Sequence, residues 1–298
     1  MANTVIHIAT ESRSEAAAFA ALFDVLNKTE RGKAIVWDFS QTELESIHPF
    51  FRMALAVYLR HCGREIVISS KEDDVWHDFG FNHVIWFDNR QPPTAILSER
   101  HCLCKNMPLC AFPVLGYDND ALQTALQKTV KEQLNINERL YPAISYLLGE
   151  MCCNISEHAH SEVGYIAINY CEEENALAIM VADVGISIFS SYVHAARYME
   201  TIAGDEVIAL KMATEGYSTK NLPDTENRGY GLSSSSRIVV EGLHGSFYLL
   251  SGNAFFKHGG NTPPIYVGLP PNIEWPGTAV FMQIPLETDR AFSLMNYV

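Results

Sequence analysis

The sequence predicts a mixed α/β protein with two domains, over residues 1–90 and 118–298, joined by a linker over 91–117. In the first domain, strand-like and helix-like segments alternate, which is typical of α/β architecture. The linker contains four prolines and is mixed in polarity, so it interrupts this alternation. In the second domain, two helical segments come first and longer apolar strands follow. This change of pattern across the linker separates the two domains.

Short apolar runs predict strands of the first domain at 4–9, 33–40 and 65–70. Between these strands, apolar residues recur at the spacing of an amphipathic helix over 12–28, and a second helix is predicted over roughly 47–62. A helical turn and one more strand complete the domain. This order of elements predicts a small α/β domain.

The composition excludes several classes of protein. The chain has 298 residues, of which 48% are hydrophobic and 19% are charged, as in globular rather than disordered proteins. No apolar run is long enough to span a bilayer, and the start of the chain lacks the pattern of a signal peptide. We therefore expect a soluble cytoplasmic protein that does not bind membranes. The net charge of −14 repels phosphate backbones, so we do not expect a nucleic acid as a partner.

The chain has seven cysteines, and this odd number argues against a framework of disulfides. Four residues within 101–110 could bind a metal ion: His101, Cys102, Cys104 and Cys110. Their C-x-C spacing differs from the C-x2-C of a zinc knuckle, and no second pair of ligands follows. A metal site is therefore left open here, with reduced, partly buried thiols as the alternative.

The second domain is predicted to contain helices, strands and two segments without regular structure. In chain order these are helices over 118–135 and 138–160, strands over 163–170 and 176–183, a polar segment over about 200–228, a helix from about 230, a strand over 245–251, a loop over 252–276 and a strand over 277–286. The loop is rich in proline and glycine. Long loops of this kind are often functional, and the role of this one is left open.

The helix predicted over 138–160 carries a polar face beside its apolar stripe. Glu150, Asn154 and Glu157 follow the spacing i, i+4, i+7, so they share one face, and His158 lies one turn beyond Asn154. Buried carboxylates and amides cost several kcal/mol unless they have partners. This face is therefore either exposed to solvent or covered by something polar, and the spacing alone fits both alternatives.

Three later motifs favour the second alternative. Asp183 ends a predicted strand and Gly185 follows it, so a carboxylate could accept a hydrogen bond from an exocyclic amine where glycine lets a flat ring approach the backbone. Gly229 and Gly231 open a predicted helix, whose first N–H groups could bind phosphates. A Gly-Thr pair at 277–278 enters the last strand. Each motif alone is weak, but their order and spacing together are far more specific.

These motifs resemble those of the GHKL ATPase family, the Bergerat fold shared by DNA gyrase B, histidine kinases and anti-sigma-factor kinases. The resemblance covers roughly residues 118–288. It implies a two-layer α+β sandwich with a mixed sheet that binds ATP and Mg²⁺. The four family boxes correspond to Glu150-x-x-x-Asn154, Asp183-Val184-Gly185-Ile186-Ser187, Gly229-Tyr230-Gly231-Leu232 and Gly277-Thr278.

The resemblance also implies a role for each motif residue. Glu150 would be the general base, Asn154 would be the Mg²⁺ ligand, and Asp183 would accept a hydrogen bond from the adenine amine. Ser187 stands where the family usually has a second glycine, and we expect nucleotide binding to survive this difference. The remaining nucleotide-binding residues implied are Glu157 and His158 on the polar helix face, Gly185 in the adenine pocket, Arg228 at the terminal phosphate, Gly229, Gly231 and Leu232 under a mobile lid over about 200–228, and Thr278 beside Asp183.

Two further resemblances indicate the branch of the family. His158 follows Asn154 by four residues, as in the E-x-x-x-N-A-x-x-H pattern of anti-sigma serine kinases, and residues 209–232 resemble their lid. Residues 34–69 are similar to a STAS domain, the fold of anti-sigma antagonists, although the serine normally phosphorylated there has no clear counterpart. Together they imply a regulatory protein that phosphorylates a serine or threonine of a partner protein, or hydrolyses ATP.

Alternatives remain open from the sequence. The chain could be a nucleotide-gated interaction module with little catalysis, or a histidine-kinase-like ATPase. The second alternative is less favoured, because Pro49 follows His48 directly and strands surround this position. The partner, the phosphoacceptor and the oligomeric state are left open, including the homodimer that is common among anti-sigma-factor kinases.

Overall fold

The computed structural model describes residues 4–7, 14–29, 35–38, 47–62, 67–69, 84–87, 91–99, 107, 109–116, 119–134, 136, 138–219, 230–260, 262–287 and 291–298. The helices in these ranges are α1 (Glu15–Lys28), α2 (Pro49–Cys62), α3 (Pro93–Glu99), α4 (Asn119–Leu134), α5 (Leu140–His158), α6 (Ile188–Ala195), α7 (Met199–Ile202), α8 (Glu206–Thr214) and α9 (Tyr230–Arg237), which continues as a π-helical turn over Ile238–Gly242. A 3₁₀ turn spans Leu294–Asn296. The strands are β1 (Thr4–His7), β2 (Ile35–Asp38), β3 (Val67–Ser69), β4 (Ile85–Trp86), β5 (Cys110–Pro113), β6 (Val163–Cys171), β7 (Ala176–Asp183), β8 (Ser246–Gly252), β9 (Ala254–Gly259), β10 (Ile265–Gly268) and β11 (Trp275–Pro285).

An eight-stranded mixed sheet forms the centre of the described structure. Its strand order is β10-β9-β8-β11-β7-β6-β5-β4. β4 and β5 pair in parallel, and the other neighbouring strands pair antiparallel. The mixed α/β class and the mixed sheet predicted from the sequence are therefore confirmed. Because β11 lies beside β7, the start of β11 comes next to Asp183 at the end of β7.

Helices cover both faces of this sheet, because the N-terminal helices add a layer to the helices and the sheet of the second region. One face packs against α4, α5 and the π-helical turn after α9, and the other packs against α1 and α2. Successive side chains of a strand point to opposite faces, and β7 is buried along its whole length because both faces are covered. The uninterrupted apolar run of β7 is the sequence signal typical of such a strand.

The N-terminal strands form a second, smaller sheet. β1, β2 and β3 are parallel neighbours in that order, and α1 and α2 follow β1 and β2 in the chain. The alternation of strand and helix predicted for this region is therefore observed within the described residues. Parallel strands need crossover connections, which accounts for the helices between them.

The N-terminal helices are packed directly onto the large sheet. The ring of Phe19 in α1 lies 4.6 Å from that of Tyr248, 4.9 Å from that of Phe255 and 5.2 Å from that of Phe281, measured between centroids. The buried guanidinium of Arg52 in α2 donates to Oδ1 of Asn169 in β6 at 2.5 Å. Burial lowers the pKa of Arg52 to about 10. The first region thus shares a continuous hydrophobic core with the second.

Two segments predicted to lack regular structure contain ordered elements. The linker predicted over 91–117 holds α3 and β5, and β5 is a buried strand of the large sheet. The loop predicted over 252–276 holds β9 and β10, which extend the same sheet to its edge. In both segments, prolines and glycines lie close to short apolar runs, so turn signals hid strands of only four to six residues.

The polar segment predicted over about 200–228 contains α8 and most of α7. Asp205 caps α8 by accepting hydrogen bonds from the backbone N–H groups of Val207 and Ile208 at 2.7 and 3.2 Å. None of the described helices combines the length and the apolar character needed to cross a bilayer.

We expect Phe19→Ala to destabilise the whole protein by about 3–5 kcal/mol, because it empties a site surrounded by aromatic rings. The Phe19 side chain is only 5% exposed. Urea denaturation followed by tryptophan fluorescence measures the change. Phe23→Ala in the same helix is the matched control and should have a smaller effect, since Phe23 is only partly buried. Equal effects of the two substitutions would contradict the packing of α1 on the sheet.

Candidate functional site

A cavity of about 430 Å³ lies between α5, α6, the ends of β7 and β11, and the beginning of α9. Most residues predicted for a nucleotide site line it: Glu150, Asn154, Glu157, His158, Asp183, Ser187, Gly231, Leu232 and Thr278. Gly185 lies beside the cavity, where its backbone N–H donates to Asp183. Arg228 and Gly229 lie outside the described residues. The structure therefore brings together motifs that are up to 128 residues apart in the chain.

Asp183 places a buried carboxyl group in the wall of this cavity. Its side chain is 3% exposed, and the backbone N–H of Gly185 donates to its Oδ1 at 2.9 Å. A second backbone hydrogen bond comes from Thr278. Burial raises the pKa of Asp183 to about 8, and these two donors oppose the rise because they favour the ionised form. A ligand N–H that donates to this carboxyl would act in the same direction as the two backbone donors.

Position 277 requires glycine because its backbone lies against the Asp183 side chain. Its φ is +99°, a conformation that favours glycine, and a Cβ atom there would overlap with the Asp183 carboxyl group. The indole N–H of Trp275 donates to the backbone oxygen of Asp183 at 3.2 Å and fixes the strand end from the same side. The Gly-Thr pair noted in the sequence therefore has a structural reason, which is to let β11 close over the carboxyl.

The polar face of α5 forms the opposite wall. Glu150, Asn154 and His158 follow each other at intervals of one turn, so they lie about 6 Å apart along the helix. The side-chain nitrogen of Asn154 is buried and has no hydrogen-bond partner among the described residues. A buried amide group without a partner costs about 1–3 kcal/mol, so a polar ligand at this position would remove a penalty.

The first turn of α9 lies against this polar face. A Cβ atom on Gly231 would lie 2.6 Å from Oε2 of Glu150 and 3.5 Å from the amide of Asn154. Glycine therefore allows the backbone of α9 to approach the two side chains. The first N–H groups of a helix receive no partner from within the helix, and they attract anions. This end of the cavity combines anion-binding backbone groups with a carboxylate and an amide.

Tyr146 lies one turn before Glu150 on α5 and also lines the cavity. Its hydroxyl forms a hydrogen bond with Ser234 of α9. Burial and, to a lesser extent, the negative charge of Glu150 raise the pKa of Tyr146. The carboxylate of Glu150 is therefore flanked by a neutral phenol and by the backbone of Gly231, both of which line the same cavity.

Gly185 and Ser187 have structural surroundings that differ from the implied ones. A Cβ atom on Gly185 would overlap with the backbone oxygen of Ala159, and the N–H of Ile186 donates to that oxygen at 2.8 Å. Gly185 thus joins the end of β7 to the end of α5, and it does not line the cavity. Ser187 caps α6 by accepting from the N–H of Ser190 at 3.1 Å. This cap explains why serine suits the position.

Sequence reasoning missed several polar residues of the cavity. Thr219 Oγ1 lies 3.0 Å from His158 Nδ1 and 3.4 Å from Ser191 Oγ. Ser251 supports the floor, since its hydroxyl lies 2.9 Å from the hydroxyl of Thr278 and accepts from the N–H of Ile188 at 2.8 Å. Isolated serines and threonines are common on any surface, so no sequence signal distinguished the hydroxyls of Thr219, Ser191 and Ser251.

The metal site left open over 101–110 lies mostly outside the described residues. Cys110 is buried in β5, while His101, Cys102 and Cys104 lie outside the described residues. Within the described part of the chain, no group of three or more His, Cys, Asp or Glu side chains is arranged to hold a metal ion.

No family model, curated protein or solved structure matches this chain.

Proposed function

We propose that the chain is a GHKL-type regulatory protein that binds ATP with Mg²⁺ and transfers the terminal phosphoryl group to a serine or threonine of a partner protein, or to water. One observation carries this proposal. A single cavity has the buried carboxyl of Asp183 on one wall and the polar face of α5 on the other, with the glycine-opened start of α9 beside that face. Its volume falls in the range of small-molecule sites.

The Asp183 end suits a base that carries an amine. A carboxylate is an acceptor with no donor of its own once it is ionised, so it selects a ring with an exocyclic N–H. Ile186, Ile188 and Val280 line the same cavity and supply apolar surface for a flat ring. These features fit adenine, whose amine would donate to Asp183.

The opposite end suits phosphates and their metal ion. The start of α9 offers backbone N–H groups, and Asn154 offers a buried amide without a partner among the described residues. Rotation of the Asn154 side-chain amide by about 180° exchanges its oxygen and nitrogen, so the oxygen could occupy the position of the nitrogen that has no partner among the described residues. An amide oxygen is a suitable ligand for Mg²⁺, which keeps several waters and takes few protein ligands. Bound there, the ion would neutralise part of the phosphate charge.

Glu150 is the residue that we assign to proton transfer. It lies one turn before Asn154 and in contact range of Gly231, so its carboxylate borders the end of the cavity that suits phosphates. There it would accept the proton of the attacking hydroxyl or water and orient that nucleophile. The backbone of Gly231 beside it would restrict the directions that the carboxylate can take.

We further propose that the N-terminal region is a STAS-like module that docks the partner protein. The parallel order β1-β2-β3 with intervening helices supports this. α1 and α2 pack on the large sheet, and strand β7 of this sheet ends in Asp183 at the cavity. Such a module would therefore contact the sheet that forms one wall of the cavity.

Calorimetric titration with ATP, ADP and a non-hydrolysable ATP analogue, with and without Mg²⁺, tests the proposal. We expect Mg²⁺-dependent binding of ATP. The position of the nucleotide is tested at Cys153, an exposed cysteine that lines the cavity. At a nucleotide concentration ten times Kd, alkylation of Cys153 should become roughly tenfold slower, as measured by mass spectrometry of its peptide.

The neighbouring cysteine provides the internal control for this experiment. Cys152 is buried and should remain unmodified with or without nucleotide. Binding of no nucleotide at all, or binding without protection of Cys153, would overturn the proposal.

A further inference from the structure

A chain of three polar side chains crosses one wall of the cavity. Thr219 joins Ser191 of α6 to His158 of α5. Its Oγ1 lies 3.4 Å from Ser191 Oγ and 3.0 Å from His158 Nδ1. All three residues line the cavity. Ser191 belongs to none of the motifs on which the proposed function rests, and Thr219 lies in the predicted lid segment, where no role was assigned to it.

These three side chains lie between the two ends of the cavity. His158 is one helical turn, about 6 Å, beyond Asn154 at the phosphate end. The next residue, Ala159, accepts a hydrogen bond from Ile186, which follows Asp183 by three residues at the base end. A nucleotide with its base at Asp183 and its phosphates near Asn154 would therefore place its sugar beside Thr219.

We propose that Thr219, held by Ser191 and His158, recognises the ribose hydroxyls and makes the site selective for ribonucleotides over deoxyribonucleotides. This inference rests on the proposed function, since it names the sugar of the same nucleotide. Thr219 is a specificity residue and takes no part in the phosphoryl transfer.

The hydrogen-bonding capacity of the three groups supports this role. Each hydroxyl has one donor and two acceptor positions, so the contacts given by the described residues leave an acceptor position on the hydroxyls of Ser191 and Thr219. A ribose hydroxyl could donate to one of these positions. An analogue without that hydroxyl would displace water from the wall and leave the acceptor unmatched, which is the basis of strong discrimination in sites built for a substrate hydroxyl.

The experiment is a calorimetric titration of the wild-type protein with the Mg²⁺ complexes of ATP, 2′-deoxy-ATP and 3′-deoxy-ATP. We expect at least one of the deoxy nucleotides to bind roughly 3- to 10-fold more weakly than ATP, as for the loss of one net hydrogen bond. Thr219→Val keeps the shape and removes the hydroxyl, so its three affinities should become equal. Thr219→Ser restores the hydroxyl and should restore the preference for ATP.

Thr214→Val is the matched control, because Thr214 bonds to Leu210 and Tyr266 and does not line the cavity. It should keep the wild-type preference. Equal affinities of the wild type for ATP and both deoxy nucleotides would overturn this inference and leave the proposed function standing. A preference that persists in Thr219→Val would also overturn it, and failure of the wild type to bind any nucleotide would overturn both.

Discussion

Asp183→Asn should weaken ATP binding on the order of 100-fold, because the ligand amine would lose its hydrogen bond to a charged carboxylate. The asparagine amide would be a poor acceptor for that amine. The backbone N–H groups of Gly185 and Thr278 already donate to this side chain. In the variant, they would hold the amide oxygen and direct the amide N–H₂ toward the cavity. A donor would then face the donating amine of the ligand. Calorimetric titration with Mg-ATP measures the loss.

The same substitution should stabilise the fold at neutral and alkaline pH. The pKa of Asp183 is about 8 in the folded state, raised from 3.8 by burial, so the folded state keeps a proton that the unfolded state releases between these values. Stability from this group is present below about pH 4 and is lost as the pH rises toward 8. Asparagine has no proton to lose. The wild type should therefore lose up to about 1.4 kcal/mol relative to the variant for each pH unit in this window.

Urea unfolding of the wild type and Asp183→Asn at pH 5 and pH 7 tests this expectation. The advantage of the variant should be larger at pH 7. Asp205→Asn is the matched control, because Asp205 is an exposed helix cap and asparagine caps as well as aspartate does. Identical pH dependence of the wild type and Asp183→Asn would show that the carboxyl is already ionised in the folded state.

Protonation of Asp183 also makes nucleotide binding depend on pH. A ligand amine favours the ionised carboxyl, so binding would release a proton from the group whose pKa is about 8. The affinity of the wild type for Mg-ATP should therefore rise between pH 6 and pH 8. The Asp183 carboxyl would thus destabilise the protein without ligand and recognise the ligand when it binds. This is a common compromise between stability and function.

The local features of the site could be predicted because each depends on a few neighbouring residues. The face shared by Glu150 and Asn154 follows from helical geometry, and Asp183 follows from the end of an apolar strand. Gly231 and Gly277 stood out as glycines at the start of a helix and of a strand. The structure adds their reason, since a side chain at either position would collide with Glu150 or Asp183, respectively.

Features that depend on distant residues could not be predicted. Thr219 meets His158 across 61 residues of sequence, and Phe19 meets Tyr248 across more than 200, so no periodicity connects them. The packing of α1 and α2 on the large sheet was missed for the same reason, because the spacing of apolar residues in a helix does not show which surface they cover. The apolar run of β7 did carry the information, since a strand with one exposed face would alternate with polar residues.

Glu150→Gln should lower turnover of ATP by about 10²–10⁴-fold and leave the affinity for Mg-ATP nearly unchanged. Glutamine keeps the shape that lies against Gly231, but it cannot take a proton from the attacking hydroxyl. ADP release under multiple-turnover conditions, with calorimetry for binding, separates the two effects.

Glu157→Gln is the matched control for this substitution. Glu157 is a second carboxylate on the same helix and lines the same cavity, but its side chain is exposed and lies 3.7 Å from His158. Its loss should change turnover little. Undiminished turnover in Glu150→Gln would assign proton transfer to another group. If wild type and variant both bind Mg-ATP and neither turns it over with the partner present, the cavity works as a nucleotide-gated switch, because binding energy then acts only by favouring one conformation over another.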